Sequence, residues 1–210
     1  MTQPILYSFR RCPYAMRARL AIASAQVSVE LREIVLRDKP DAFLAVSPSG
    51  TVPSLAAQPE NIDESFDIMR WALNQNDPEN LLDMPASGLD LITQADGPFK
   101  DALDYTKYAS RHPDKDSETE RATAMAFLAQ LNDQLDGQDY LFGTAPRLAD
   151  LAILPFVRQF AMIDKARFDA EAGPHLSRWL EAFLASDRLA SIMQKYPAWK
   201  EGDEITLFPA

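Results

Sequence analysis

The chain has 210 residues, 47% hydrophobic and 25% charged, a composition that fits one large globular domain or two smaller ones sharing an interface. Its formal net charge of −10 repels phosphate-rich surfaces, so neither nucleic acid nor an anionic membrane is expected as a partner. One cysteine and two distant histidines, His112 and His175, exclude an internal disulfide, offer no metal-ligand spacing and give a Ser-His-Asp arrangement little support.

In chain order, "PILYSF" reads as a short apolar strand. Pro13 to Ala25 reads as a helix with Met16, Leu20, Ala21 and Ala23 as apolar positions. "VSVELREIVL" alternates and then runs apolar, as a strand does. "KPDAFLAVS" fits a short helix with Pro40 in its first turn, "TVPSLAA" a strand entered through a proline, and "SFDIMRWAL" a further helix. Such alternation predicts a small mixed sheet packed by helices. The Asn-, Asp- and Pro-rich run "NQNDPENLLDMPASG" reads as a linker.

Everything beyond it reads as helical. Asp96-Gly97-Pro98 predicts a kink or restart. "SETERATAMAFLAQLNDQL" opens with a capping box from Ser117 to Glu120, and Met125, Leu128, Leu131 and Leu135 then form one buried face. "APRLADLAILPFVRQFAMI" is apolar nearly all round, as a central helix would be, and "PHLSRWLEAFLASDRLASIM" supplies one or two more. The tail from Ala198 has no clear periodicity. The start "MTQPILYSF" lacks the pattern of a secretory leader, and no stretch is long and apolar enough to span a bilayer. A free thiol points to the reducing cytoplasm.

That thiol, Cys12, falls between the first strand and Pro13. Proline favours the first helical position, which makes Cys12 the expected N-cap. The partial positive charge and free N–H groups of a helix start favour a thiolate. Arg10, Arg11, Arg17 and Arg19 add positive charge, and no acidic residue precedes Glu30. Such surroundings lower a cysteine pKa from about 8.5 to roughly 3.5–7.5, so the stretch is expected to keep the sulfur, or an anion beside it, ionised. The competing reading is a small buried hydrophobe ringed by solvated arginines. No second cysteine lies nearby, so any redox cycle must borrow a thiol from another molecule.

"YSFRRCPYAMRARLAI" resembles the first strand and helix of cysteine-type glutathione transferases, the omega class and its bacterial relatives. "CPYA" is also similar to a monothiol glutaredoxin motif. "LRDKP", "SGTVPSL" and "DESFDI" follow in the family's order, and "LFGTAPRLADLAILPF" is similar to its motif capping a central helix. The resemblance implies a thioredoxin-like α/β N-terminal domain (βαβαββα) over residues 1–76, a linker over 77–87 and an all-α helical bundle over 88–210. It implies Cys12 as the catalytic thiolate. Glutathione would be held by Lys39, the Val52 backbone before a cis Pro53, and Glu64 and Ser65 at the γ-glutamyl end.

Elementary chemistry agrees with that layout: Ser65 can open a helix whose N–H groups hold a carboxylate, Glu64 can receive an ammonium, and Lys39 a second carboxylate. Singly, each residue has a plainer reading as a surface lysine, an ordinary turn or a simple cap. Arg147 stands where the family's capping motif carries Ser or Thr, so that cap is expected to be lost or supplied by Thr144.

The implied function is glutathione-dependent thiol transfer through a Cys12 mixed disulfide, with an unknown electrophilic or disulfide second substrate, no metal, and a homodimeric assembly by family habit. The alternatives are conjugation with Tyr7 or Ser8 activating glutathione, a non-catalytic binding or regulatory protein on the same scaffold, and, ranked lowest, a glutathione-dependent isomerase.

Overall fold

The computed structural model describes residues 3–209. Four short strands and three helices alternate first: β1 (Ile5–Ser8), α1 (Pro13–Ala25), β2 (Val29–Glu33), α2 (Asp41–Leu44), β3 (Ser54–Ala57), β4 (Glu60–Ile62) and α3 (Ser65–Leu73). A helical series follows: α4 (Ala86–Gln94), α5 (Lys100–Lys107), α6 (Ser117–Gln134), α7 (Leu148–Ala161), α8 (Lys165–Glu171), α9 (Pro174–Leu184) and α10 (Asp187–Ile192). The chain ends in a two-residue strand, β5 (Leu207–Phe208). The thioredoxin-like α/β order followed by a helical domain is the expected one.

The sheet order is β4-β3-β1-β2-β5. β1 and β2 run parallel, with Ile5 opposite Glu30 and Ser8 opposite Glu33, and the other pairs are antiparallel. The sheet stays small because four of its five strands carry four residues or fewer between proline- and polar-rich turns. α1, almost wholly buried, packs along α3. Its C-terminus is closed by Gln26 in the left-handed region (φ 55°).

Contacts divide the chain into two compact units: the residues up to Asn80 together with those from Ser186 onward, and Leu81–Ala185. This differs from the division at residue 88 read from the sequence. Met1, Thr2 and Ala210, counted in that division, lie outside the described residues. The tail returns to the sheet because β2 otherwise presents an unpaired edge. Leu207 and Phe208 pair with Glu30 and Val29, and the Leu31 N–H donates to the Thr206 carbonyl at 2.8 Å. Two residues are too few for a period of two to show in the sequence. Trp199 joins them: its N–H donates to the Glu33 carbonyl at 2.7 Å, and the Arg32 guanidinium lies 4.1 Å from its ring centroid.

In the second unit the expected interruption at Asp96-Gly97-Pro98 is a π-helical turn, Ala95–Phe99. Pro98 has no N–H to continue the ladder, and the wider turn accommodates it. In α7 every residue but Arg158 and Gln159 is buried. One cap differs from expectation, and a second loses the half that Arg147 cannot supply. α6 is capped by Asp116, not Ser117: its carboxylate accepts from the Thr119 N–H at 2.7 Å. The start of α7 keeps half of its capping box, because the Asp150 carboxylate accepts from the Arg147 N–H at 2.9 Å; arginine has no acceptor to return. Among the described residues no helix is long and apolar enough to cross a membrane.

Candidate active site

After β1 the chain turns tightly, with the Cys12 N–H donating to the Phe9 carbonyl at 3.0 Å. Cys12 is the N-cap of α1, in extended conformation (φ −73°, ψ 124°), with Pro13 following at the first helical position. Its carbonyl accepts the first helical bond, from the Met16 N–H at 2.8 Å. Its side chain makes no capping bond. The half-buried thiol points across the turn instead and donates to the Val52 carbonyl at 3.5 Å.

The four arginines around Cys12 do separate work. Arg19, 1% exposed, donates to the Ser8 hydroxyl and to the Arg10 carbonyl at 2.7 Å. The Arg10 N–H in turn donates to the Glu33 carboxylate at 2.6 Å. The Arg10 residue is thus gripped at both backbone polar groups, which fixes the turn leading into Cys12. Burial pushes the Arg19 guanidinium down to about 10, while the charges of Glu33 and then Cys12 pull it up. Burial likewise lifts the Glu33 carboxyl, against the Arg10 N–H and the two arginine charges. The Arg10 guanidinium reaches the Met193 carbonyl at 3.4 Å, and Arg11 lies 5.5 Å from the centroid of the Phe9 ring. Arg17, 2% exposed, donates through Nε to the Ser65 hydroxyl at 2.9 Å. The arginine density is therefore largely a set of ties holding this corner together, with Arg19 as the charge neighbour of the sulfur.

Beside Cys12 opens a cleft of about 440 Å³, built within the first unit alone. Cys12, Lys39, Val52, Pro53, Glu64 and Ser65 all line it. The Val52–Pro53 peptide bond is cis. Lys39 passes over Gly50, its ammonium 3.8 Å from where a Gly50 Cβ would stand; Gly50 itself holds φ +61°, which glycine adopts without strain.

Ser65 is the first residue of α3, whose N-cap, Glu64, supplies no side-chain bond. The first intrahelical bond runs from the Ile68 N–H to the Glu64 carbonyl at 3.0 Å. The N–H groups of Ser65, Phe66 and Asp67 precede it, and a helix start of this kind attracts anions.

Asp63, Thr51, Gly50, Tyr14 and Leu36 also line the cleft and were not singled out from the sequence. Asp63 lies beside the predicted Glu64-Ser65 pair, but its role depends on a loop far away in sequence. Its carboxylate accepts from the Ser47 hydroxyl at 2.6 Å and the Ser49 N–H at 2.9 Å. Burial raises this carboxyl, and the serine donors more than reverse that, leaving it below the usual range. Asp63 thereby ties the loop before Pro53 to the start of α3.

Tyr7 and Ser8 stand outside the cleft lining. Tyr7 is 2% exposed, and its hydroxyl is bonded to Arg32 at 2.8 Å. Its ring packs 5.4 Å from Phe43 and 6.2 Å from Trp199, centroid to centroid. Burial pushes its phenol above the ordinary value. The Ser8 hydroxyl is fully buried and accepts from Arg19. Neither hydroxyl is presented to the cleft as the conjugation alternative requires.

A small mixed sheet with a cysteine at the start of its first helix, a cis proline opposite that sulfur and an uncapped helix start across the cleft defines a thioredoxin-like thiol scaffold carrying an added helical domain. Comparison with known proteins makes this more specific. Residues 6–80 match the family model of the glutathione S-transferase N-terminal domain, and residues 114–182 that of the C-terminal domain. The chain belongs to the glutathione S-transferase superfamily.

A probable glutathione transferase of Aplysia californica is 43% identical over 57 residues, covering 27% of this chain and 62% of that protein. Glutathione S-transferase omega-2 of Rattus norvegicus is 40% identical over 50 residues, covering 24% and 20%. The matched segment thus spans less than two thirds of either relative. Among solved structures, glutathione transferase Omega 3C of Trametes versicolor superposes with a TM-score of 0.77 at 19% identity, over 92% of this chain and 85% of that one. A glutathione transferase family member of Pseudomonas fluorescens with two glutathione molecules bound gives 0.74 at 18% identity, over 91% and 92%. At such identities the superpositions speak for the fold.

Proposed function

We propose that the protein is a glutathione-dependent thiol transferase of the cysteine type, with Cys12 as its nucleophile. One observation carries this reading: a single cleft holds the Cys12 sulfur, the cis Val52–Pro53 turn and the open start of α3. Two further facts support it. The omega-2 relative shares 40% identity over its matched stretch, and the hydroxyls of Tyr7 and Ser8 are engaged elsewhere.

Glutathione binds with its γ-glutamyl carboxylate on the α3 N–H groups and the Ser65 hydroxyl and its ammonium near Glu64. Its cysteinyl backbone pairs with Val52 and its glycyl carboxylate meets Lys39. The Cys12 thiolate attacks the glutathionyl sulfur of a mixed disulfide, R–S–S–G. A new S–S bond joins Cys12 to the glutathionyl sulfur as the RS–SG disulfide bond breaks, and R–S⁻ leaves to take a proton from solvent. A second glutathione thiolate then attacks the glutathionyl sulfur on Cys12, giving oxidised glutathione and restoring the Cys12 thiolate. Each step is an exchange of one disulfide for another, so no electrons are lost. The second substrate is a disulfide or electrophile, the reduced glutathione is that of the cytoplasm, and the assembly is a homodimer by family habit.

The test is reduction of hydroxyethyl disulfide by glutathione, followed beside mass spectrometry after exposure to oxidised glutathione. Wild type is expected to turn over and to gain one glutathionyl group on Cys12, while Cys12→Ser does neither. Its alkylation rate should reach half-maximum at a pH well below the ~8.5 of an ordinary thiol. Turnover that survives Cys12→Ser, or a thiol that titrates like free cysteine, would refute the assignment.

A further inference from the structure

Ser65 faces the cleft on one side and Arg17 on the other. The Arg17 guanidinium is buried beneath the site: its Nε–H donates to the Ser65 Oγ at 2.9 Å, and its carbon lies 5.2 Å from the centroid of the Tyr14 ring, itself part of the cleft lining. Serine has one O–H donor and two lone pairs, and a guanidinium has donors only. The bond from Arg17 therefore fixes Ser65 as its acceptor and turns the hydroxyl proton away from Arg17. The adjoining positive charge also draws electron density from the oxygen, which strengthens the O–H as a donor toward an anion.

We infer that Arg17 is a positioning residue: it commits the Ser65 hydroxyl to donating toward a ligand carboxylate at the start of α3 and so sets a preference for ligands that carry one there. This rests on the glutathione reading of the cleft and assigns a specificity device within it. It also gives one arginine of the Cys12 stretch a role in ligand choice separate from the sulfur.

The experiment is calorimetric titration with two probes: glutathione, and its analogue lacking the γ-glutamyl α-carboxylate, 4-aminobutyryl-cysteinylglycine. The proteins are wild type, Arg17→Met, Arg17→Lys, Ser65→Ala and the Arg17→Met/Ser65→Ala double variant. Arg17→Met is expected to weaken glutathione binding about tenfold, to leave the analogue unchanged, and to add nothing once Ser65→Ala is present. Arg17→Lys keeps the charge without the fixed Nε–H and should recover only part of the loss. It supplies the same comparison if Arg17→Met does not fold.

A merely structural role would weaken both ligands alike and act independently of Ser65, and that result overturns the inference. So does an Arg17→Met protein that binds glutathione as wild type does. A wild type that binds neither ligand overturns the glutathione reading itself, and this inference with it.

Discussion

The two units treat the starts of their helices differently. In the sheet-bearing unit α1 begins at Cys12 and α3 at Glu64, neither start has a side-chain cap, and both line the cleft. α10, in the same unit but absent from the cleft lining, is capped by the Ser186 hydroxyl, which accepts from the Leu189 N–H at 3.1 Å. In the helical unit Asp116 caps α6 and Asp164 caps α8, the latter accepting from the Arg167 N–H at 3.0 Å. The start of α9 borrows Asn132 from α6, and α7 is held by Asp150 in its own first turn. α4, begun by Pro85, is uncapped, α5 continues from the π-helical turn without a cap, and in the sheet-bearing unit the one-turn α2, begun by Pro40, is uncapped too. A side-chain cap stabilises a helix by about 1 kcal/mol, so an open start gives up stability. The open starts of α1 and α3 flank one cleft, where their N–H groups and partial positive charge are available to a thiolate and a carboxylate.

The largest effect expected on the sealed side is at Asp150, fully buried. Its Oδ1 accepts from the Leu141 N–H and the Trp179 indole N–H, each at 3.0 Å, and its Oδ2 from the Arg147 N–H. Burial pushes this carboxyl up to about 6 in spite of the three donors. Asp150→Ala leaves the three N–H groups without their acceptor, which should cost about 4 kcal/mol and lower the melting temperature by roughly 10 °C. Asp150→Asn should cost less, because one amide oxygen can still receive both Oδ1 donors. Equal losses in the two variants would show that cavity formation, rather than donor satisfaction, governs the site.

On the open side, Ser65→Asp supplies α3 with an anion of its own. The helix should gain a few tenths of a kcal/mol, while glutathione binding falls about a hundredfold as two carboxylates compete for one helix start. Calorimetry beside denaturant unfolding reads both quantities. Unchanged affinity would mean that the ligand carboxylate does not sit there.

How much of this was legible depended on distance along the chain. Cys12 stood out by its strand end, its following proline and its charged neighbours, whereas Lys39, Val52, Pro53, Glu64 and Ser65, singly readable as a surface lysine, a turn and a cap, were legible only through the resemblance of their motifs in order; the cleft lining gathers all six. The bond from Arg17 to Ser65 spans 48 residues, and no local pattern announces it. The clustered arginines looked like a field around the sulfur, because a sequence displays charge and hides where a long side chain ends. β5 was invisible for lack of length. Asp116 was displaced by one residue, since Ser117 and Asp116 are both good caps and only backbone geometry chooses between them. The cap of α9 could not have been found locally, since it comes from Asn132, 43 residues before His175.

That borrowed cap gives the smallest predicted effect and the most discriminating one. Gly173, the N-cap of α9, has no side chain, and a Cβ built there would stand 2.1 Å from the Asn132 Oδ1. The Asn132 oxygen occupies that space and accepts from the His175 and Leu176 N–H groups at 3.1 and 3.2 Å. Asn132→Ala should therefore cost about 1 kcal/mol, the value of a lost cap. Gly173→Ala should cost a similar amount for the same reason, because the new methyl must push Asn132 off the helix start. The backbone at Gly173 is extended (φ −69°, ψ 159°), so alanine meets no conformational strain there. Once Asn132 has been cut back to alanine the methyl fits, and replacing glycine restricts the unfolded chain, a gain of about 0.4–1 kcal/mol. The double variant should consequently be no less stable than Asn132→Ala alone. Denaturant unfolding of the four proteins closes the cycle, and simple addition of the two losses would show that the glycine is required for some reason other than room for its neighbour's cap.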